Sequence, residues 1–301
     1  MRNATVSTAR SSRLRKVTVV GVLVGAVALL AGACTPGGPA AANWKVKPSS
    51  IQVVRQNSFT TAGDRPYVIQ VGFRSKLGVA GSSSAQIASQ CSSGNLPAPD
   101  AAPAGTTYVV PPGSADVNFP AVQNLDIGDV LLGTAPLEIF GTLSFAMNRN
   151  VLPFITSCAV TDALNSALVP VLKDALDLLI AGSAVPPTQE QLVNLVVGNL
   201  NNFLAAAGSL IASIIEGLGN PDAIVGVGVQ LLLPTSGAFA GILDAGFGLA
   251  SLFNPGLANG FIPLPGLASS VKVKVGSLLP SSATFDFDGD AGHYIYTSTI
   301  G

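Results

Sequence analysis

The residues of this chain whose types and spacing could bind a metal ion lie around position 288. Asp286, Asp288 and Asp290 alternate with one apolar residue and one glycine. Carboxylate oxygens are the ligands that Ca²⁺ prefers, and acidic residues at alternate positions are typical of calcium-binding loops. The EF-hand pattern is incomplete, because Ala291 stands where that loop needs glycine and Thr297 where it needs glutamate. We therefore expect either a calcium site at the three aspartates or a solvated strand and turn.

Catalytic motifs are scarce in the rest of the sequence. The chain has a single histidine, His293, and it contains no Gly-x-Ser-x-Gly sequence. No group of His, Cys and carboxylate residues has zinc-site spacing, and no glycine-rich phosphate loop occurs. These observations favour a protein without a catalytic site. A secreted enzyme that uses two dispersed carboxylates, as glycoside hydrolases do, is the alternative, although no pair can be nominated.

The three cysteines differ in their predicted fates. They are Cys34, Cys91 and Cys158. In an oxidising compartment thiols are paired, and a leftover cysteine needs an explanation. If Cys34 is acylated or removed with a leader peptide, an even pair remains. We therefore predict a disulfide between Cys91 and Cys158, with two separate buried thiols as the alternative.

The first 33 residues have the pattern of an export signal. Five cations in the first sixteen residues precede the uncharged segment 17–30. A basic segment followed by an apolar one of this length is typical of a signal peptide. The residues before Cys34 resemble a bacterial lipobox, with Ala31 where leucine is usual. Acylation of Cys34 would leave residues 34–43 as a flexible tether on the outer face of the cell membrane. Cleavage after Ala42 would instead release the protein.

Charge and composition argue against a nucleic-acid partner. Without the five cations of the leader, ten Lys and Arg residues stand against sixteen Asp and Glu residues, a net charge of −6. Such a chain lacks the basic surface that binds DNA or RNA. Its few charges and many small residues resemble the composition of exported actinobacterial proteins.

Apolar residues alternate with polar ones near both ends of the chain. Tyr67, Ile69, Val71 and Phe73 occupy every second position of one such run. Similar runs are found at residues 44–53, 271–275, 285–287 and 294–300. Period two is the pattern of a half-buried strand. We therefore predict an α+β protein in which residues 44–150 and 266–301 form an antiparallel β-sandwich or barrel-like frame.

The middle of the sequence has a helical period instead. From Thr188 to Leu218, apolar residues recur every three or four positions, and Thr188 with Gln191 has the spacing of a capping box. A second apolar face runs over 164–179, where Pro170 would kink or restart the helix. Residues 151–265 are therefore predicted to be an apolar α-helical insertion.

One stretch of this middle region is almost devoid of charge. Residues 222–253 carry only Asp222 and Asp244, and they include the small-residue spacing Gly237-x-x-x-Gly241. Three interpretations stay open. The stretch packs inside the insertion, lines a pocket for an apolar ligand, or enters a bilayer.

Together these patterns predict a non-catalytic exported cell-envelope lipoprotein that binds a partner, a lipid or another hydrophobic ligand. A membrane-active protein that inserts its apolar region is the second hypothesis. No cofactor other than calcium is indicated.

Overall fold

The computed structural model describes residues 40–57, 63–96, 102–149, 158–186, 188–217, 222–243, 245, 268–276 and 278–301. Within these residues, ten strands form two five-stranded sheets, and helices cover one of the sheets. The protein is thus α+β, as the sequence predicts.

Sheet 1 is built around the longest strand, β1 (Ala42–Arg55). One edge of β1 pairs antiparallel with β10 (Gly292–Ile300). The other edge of β10 pairs antiparallel with β9 (Ser281–Gly289). Two short strands, β5 (Val117–Val122) and β4 (Thr107–Val109), also pair antiparallel with β1. Burial alternates along β9 and β10: Phe285, Phe287, Tyr294 and Tyr296 are buried, and the residues between them are more exposed.

Sheet 2 has the order β3 (Ser84–Ser89), β2 (Pro66–Lys76), β6 (Glu138–Arg149), β7 (Asp222–Pro234) and β8 (Ala268–Gly276). All neighbours are antiparallel except β7 and β8, which are parallel. Both faces of the central strands are covered, so every residue of β6 is buried. One face packs on sheet 1 and the other packs on helices.

The helical layer begins next to Cys158 and covers the outer face of sheet 2. It contains α2 (Ala159–Ala163), α3 (Val169–Leu176) and the long α4 (Gln189–Gly217). Each of α2 and α3 runs into a π-helical turn, 164–168 and 177–181. Pro170 lies in the first turn of α3, directly after the first π-helical turn, so the residue that cannot donate an N–H coincides with a local change of helix geometry. A shorter helix, α1 (Ile127–Leu131), connects β5 to β6.

The two sheets interlock through glycine and phenylalanine. A Cβ atom placed on Gly226 of β7 would lie 2.1 Å from Phe287 Cγ, and one on Gly228 would lie 2.9 Å from Phe285 Cδ1. These glycines leave the space that the two rings of β9 occupy, so both rings are fully buried.

Strand β7 corrects one prediction. Residues 222–234 belong to the centre of sheet 2, although the sequence placed them in a helical insertion. A strand that is buried on both faces shows a continuous apolar run, which periodicity cannot distinguish from a buried helix. Residues 244 and 246–253 of the same apolar stretch lie outside the described residues.

The molecule has two ends along the strand direction. The tether end contains the start of β1, the end of β10, and the connections β2–β3, β5–β6 and β8–β9. At this end, Arg74 Nη1 donates a hydrogen bond to Pro120 O at 2.7 Å. At the hairpin end, the β9–β10 turn lies beside the end of β1, the start of β2 and the end of β6. Asp64 and Tyr294 meet at this end across the two sheets.

Candidate functional site

A surface pocket of about 340 Å³ opens at the tether end. Its lining residues come from the start of β1, the middle of β5 and the end of β10. They are Asn43, Trp44, Lys45, Lys47, Asn118, Phe119, Pro120 and Gly301. This volume is at the lower end of the range typical of small-ligand sites.

The pairing of β1 with β5 sets the shape of this pocket. Trp44 lies opposite Phe119, and Lys45 lies opposite Asn118. Phe119 is almost fully buried and forms the floor of the pocket. Its ring centroid is 4.6 Å from that of Phe140 on β6, so packing against Phe140 holds the Phe119 ring in place. Trp44 remains partly exposed at the mouth.

The rim beside this floor is held in an unusual backbone conformation. Ala121 has φ of 53°, a left-handed value that is uncommon for residues other than glycine. Its N–H donates to Asn43 Oδ1 at 2.9 Å, which ties β5 back onto the start of β1. Backbone strain of this kind persists where the surroundings over-determine it, and it clusters at functional sites.

The two lysines of the pocket differ in their electrostatic partners. Lys45 Nζ lies 3.4 Å from Asp116 Oδ2, so its charge is largely compensated. Lys47 is exposed, and no ion pair to it is found in the described part of the chain. An anionic ligand group in the pocket would therefore find Lys47 free to pair with it.

The pocket lining suits binding better than catalysis. Its lining residues, all within the described chain, include no carboxylate side chain, no histidine and no thiol that could act as acid, base or nucleophile. They offer two aromatic faces, two amides and two ammonium groups. That combination suits a small ligand with an apolar part and an anionic group.

The three aspartates of the predicted calcium site lie at the hairpin end. Asp286 Oδ1 is 2.6 Å from His293 Nε2, and Asp288 Oδ1 accepts a hydrogen bond from Arg55 Nη2 at 2.7 Å. The hydrogen bond from Arg55 holds the pKa of Asp288 below its usual value. Asp290 is exposed in the turn that follows.

These contacts give two of the aspartates protein partners instead of an ion. Among the described residues, no group of three or more His, Cys, Asp or Glu side chains is arranged to hold a metal. Calcium binding at this turn stays a prediction, and none of the observed contacts supports it. His293 likewise contacts Asp286, and no hydroxyl or thiol is hydrogen-bonded to its ring in the described residues.

Asp64 is a buried carboxylate that the sequence analysis missed, because Gly63-Asp64-Arg65-Pro66 has the composition of an ordinary turn. It accepts hydrogen bonds from the Asn57 N–H at 3.2 Å, from Asn148 Nδ2 at 3.0 Å and from the Tyr294 hydroxyl at 2.8 Å. Burial, reinforced by the neighbouring carboxylate, raises the pKa of Tyr294. The four side chains are buried, and their hydrogen bonds fasten the end of β1, the start of β2, β6 and β10 to one another.

The predicted disulfide between Cys91 and Cys158 is confirmed. Its Cα atoms are 5.8 Å apart, and it joins the turn after β3 to the start of α2. Cys34, the predicted acylation site, lies outside the described residues.

Models of protein families, curated proteins and solved structures were all compared with this chain, and none of them matches it. In the described residues, none of the helices is both long enough and apolar enough to cross a membrane.

Proposed function

We propose that this chain is a non-catalytic, exported cell-envelope lipoprotein that binds a small amphiphilic ligand, apolar with one anionic group. In this proposal, Cys34 is acylated on the outer face of the cell membrane. Both ends of the chain build one β-sandwich frame, and the helical layer is an insertion into that frame. The ligand occupies the pocket at the start of β1.

The pocket chemistry carries the ligand proposal. The partly exposed ring of Trp44 and the buried ring of Phe119 offer apolar surface. Lys47 is the charged group beside them with no ion-pair partner among the described residues. Ligand sites usually combine a mainly apolar lining with a few placed polar groups, and this pocket has that composition.

The disulfide supports the proposed location. A bond between Cys91 and Cys158 is typical of oxidising compartments such as the extracytoplasmic space. It also consumes the two cysteines outside the leader region, which leaves Cys34 as the remaining thiol for acylation.

Trp44 makes the ligand proposal directly measurable, because it is the only tryptophan of the chain. We expect decanoate, below its micellar concentration, to change the emission of Trp44 in a saturable way. Decanol, which lacks the anionic group, should bind more weakly. Lys47→Gln should weaken decanoate binding roughly fivefold, the size of one charge-assisted contact at a surface, and leave decanol binding unchanged.

Lys272→Gln is the matched control, since Lys272 is an exposed lysine on β8 of the other sheet. This variant should bind decanoate as the unchanged protein does. A Trp44 signal that does not saturate would contradict the proposal, as would equal effects of the two lysine substitutions.

A further inference from the structure

Exposed aliphatic side chains are concentrated at the tether end. Nine large apolar side chains are exposed among the described residues, and five of them lie in or beside connections at this end. The three most exposed of these five are Leu132, Leu178 and Leu279, with 80%, 77% and 65% of their surface accessible. The other two are Val79 and Val185.

The connections that carry these residues meet at one end of both sheets. Leu132 follows α1 between β5 and β6, and Leu279 lies between β8 and β9. The Leu278 N–H donates to Asn124 Oδ1 at 3.3 Å, so these two connections touch. Leu132 and Leu279 therefore lie in neighbouring connections at the same end of the molecule.

The helical layer adds Leu178 to the same end. The N–H of Gly78, in the β2–β3 connection, donates to Ile180 O at 3.3 Å, and the Ser83 N–H donates to Asp177 Oδ1 at 3.3 Å. The second π-helical turn, which contains Leu178, is thus fixed beside the end of β2. Val79 in that connection continues the apolar surface.

The predicted anchor enters the molecule at this end. Seven residues lie between Cys34 and Ala42, the first residue of β1, so eight Cα–Cα steps join the two. Even a fully extended chain of that length spans at most about 29 Å. An acylated Cys34 would therefore keep this end of the folded domain close to the bilayer.

The residues around the start of β1 match a lipid interface. Trp44 is partly exposed, and an amphipathic ring of this kind favours the boundary between headgroups and acyl chains. Lys47 is exposed next to it, and Lys274 donates to Leu279 O at 3.2 Å at the β8–β9 connection. Lysine stems cover apolar surface while their ammonium groups stay in water or reach phosphates.

We propose that the tether end is a bilayer-contacting surface, in which Leu132, Leu178 and Leu279 enter the headgroup layer. The inference rests on the acylation in the proposed function but not on the pocket ligand. Contact is shallow, because short connections carry the leucines. It would orient the domain with the pocket next to the lipid.

The test uses the full chain produced in a cell envelope, with the acylation state of Cys34 first read by mass spectrometry. The purified protein is placed in vesicles of phosphatidylcholine and phosphatidylglycerol that contain lipids brominated near the headgroup. We expect these lipids to quench Trp44. We also expect the vesicles to slow amide hydrogen exchange in residues 123–137 and 278–280.

The variant Leu132→Ser, Leu178→Ser, Leu279→Ser should lose most of this quenching and exchange protection. Burial of one leucine favours contact by roughly a factor of ten, so three substitutions shift the domain to an undocked state. The matched control is Val54→Ser, Val109→Ser, Val171→Ser, which alters exposed residues away from this end and should behave as the unchanged protein does.

Three outcomes would overturn the inference. Quenching and protection that survive the leucine substitutions would show that these side chains do not meet lipid. Protection that rises with protein concentration in the absence of vesicles would assign the surface to a second copy of this chain. Equal losses in both triple variants would show that docking does not depend on these three leucines. An unacylated Cys34 would contradict the anchoring in the proposed function, and comparing the two triple variants on vesicles would still test the leucines.

Discussion

The two ends of sheet 1 use polar residues in opposite ways. At the hairpin end, Asp64 accepts hydrogen bonds from Asn57, Asn148 and Tyr294, and Arg55 and His293 each contact an aspartate. At the tether end, Lys47 has no ion-pair partner among the described residues, and Trp44 is partly exposed beside an open pocket. These groups of the hairpin end fasten the chain to itself, whereas Lys47 at the tether end is available to a ligand.

This difference shows why a cluster of acidic residues is a poor guide to function. The aspartates near residue 288 attract attention in the sequence, yet two of them are engaged by protein partners. The pocket has only ordinary residues, and its chemistry arises from where they meet. The two ends differ in whether their charged side chains already have protein partners, and not in how reactive those side chains are.

The largest expected effect is at Asp64. Asp64→Ala would leave the Tyr294 hydroxyl, the Asn148 amide and the Asn57 N–H without their acceptor in a buried site. Each buried donor left unsatisfied costs about 1–3 kcal/mol, so we expect the free energy of unfolding to fall by about 5 kcal/mol. Urea denaturation measures this change.

Two substitutions serve as controls for Asp64. Lys47→Ala at the tether end and Asp290→Ala in the exposed β9–β10 turn should each alter stability by less than about 0.5 kcal/mol. A loss at Lys47 as large as that at Asp64 would break the contrast between the two ends.

The disulfide should have the next largest effect. Cys91→Ala with Cys158→Ala removes a link that closes 67 residues. In the chain-entropy account this costs about 4 kcal/mol. Amide exchange should accelerate around residues 89–95 and at the start of α2, while the pocket end of β1 keeps its protection. If amide exchange accelerated equally along the whole of β1, the effect of the disulfide would not be local, and the predicted difference between the two ends would be wrong.

The smallest effect concerns Asp288, and its sign depends on pH. Its pKa is lower in the folded chain than in the unfolded chain, because Arg55 donates a hydrogen bond to the carboxylate. The folded state therefore binds fewer protons, so the stabilisation is present above the ordinary aspartate pKa of about 3.9 and is lost as the pH falls through the lowered value. Asp288→Asn should be slightly less stable than the unchanged protein at pH 7.

Urea midpoints measured from neutral to acid pH test this prediction. The difference between Asp288→Asn and the unchanged protein should start to shrink near the ordinary aspartate pKa and reach zero below the lowered pKa of the folded chain. A difference that stays constant over this range would mean that the charge of Asp288 contributes nothing and that asparagine disturbs the turn.

Local patterns in the sequence predict much of the secondary structure. The alternation in Tyr67–Phe73 and around Phe285 corresponds to β2 and β9, and α4 begins one residue after Thr188. The Gln191 N–H donates to Thr188 Oγ1 at 3.4 Å, as half of a capping box would. Such features depend on residues close in sequence, which is why periodicity detects them.

Features that depend on distant pairing were not predictable. Strand β7 was misassigned because burial on both faces removes its polar positions, and the Pro-rich and Gly-rich region before residue 122 concealed the short strands β4 and β5. The pocket exists only because Trp44 and Phe119 become neighbours in the β1–β5 register. No local pattern in either segment indicates that meeting.

The pairing of β1 with β10 also sets the order in which the protein can fold. Val46 pairs with Ile300, so the edge of β1 that faces β10 stays unpaired until β10, the last strand, has been synthesised. Contacts this distant in sequence slow folding, because the loop-closure entropy must be overcome before the pairing is rewarded. In a chain synthesised from its N-terminus, β1 emerges long before its partner. We therefore expect newly made protein to need a holding chaperone until β10 is complete.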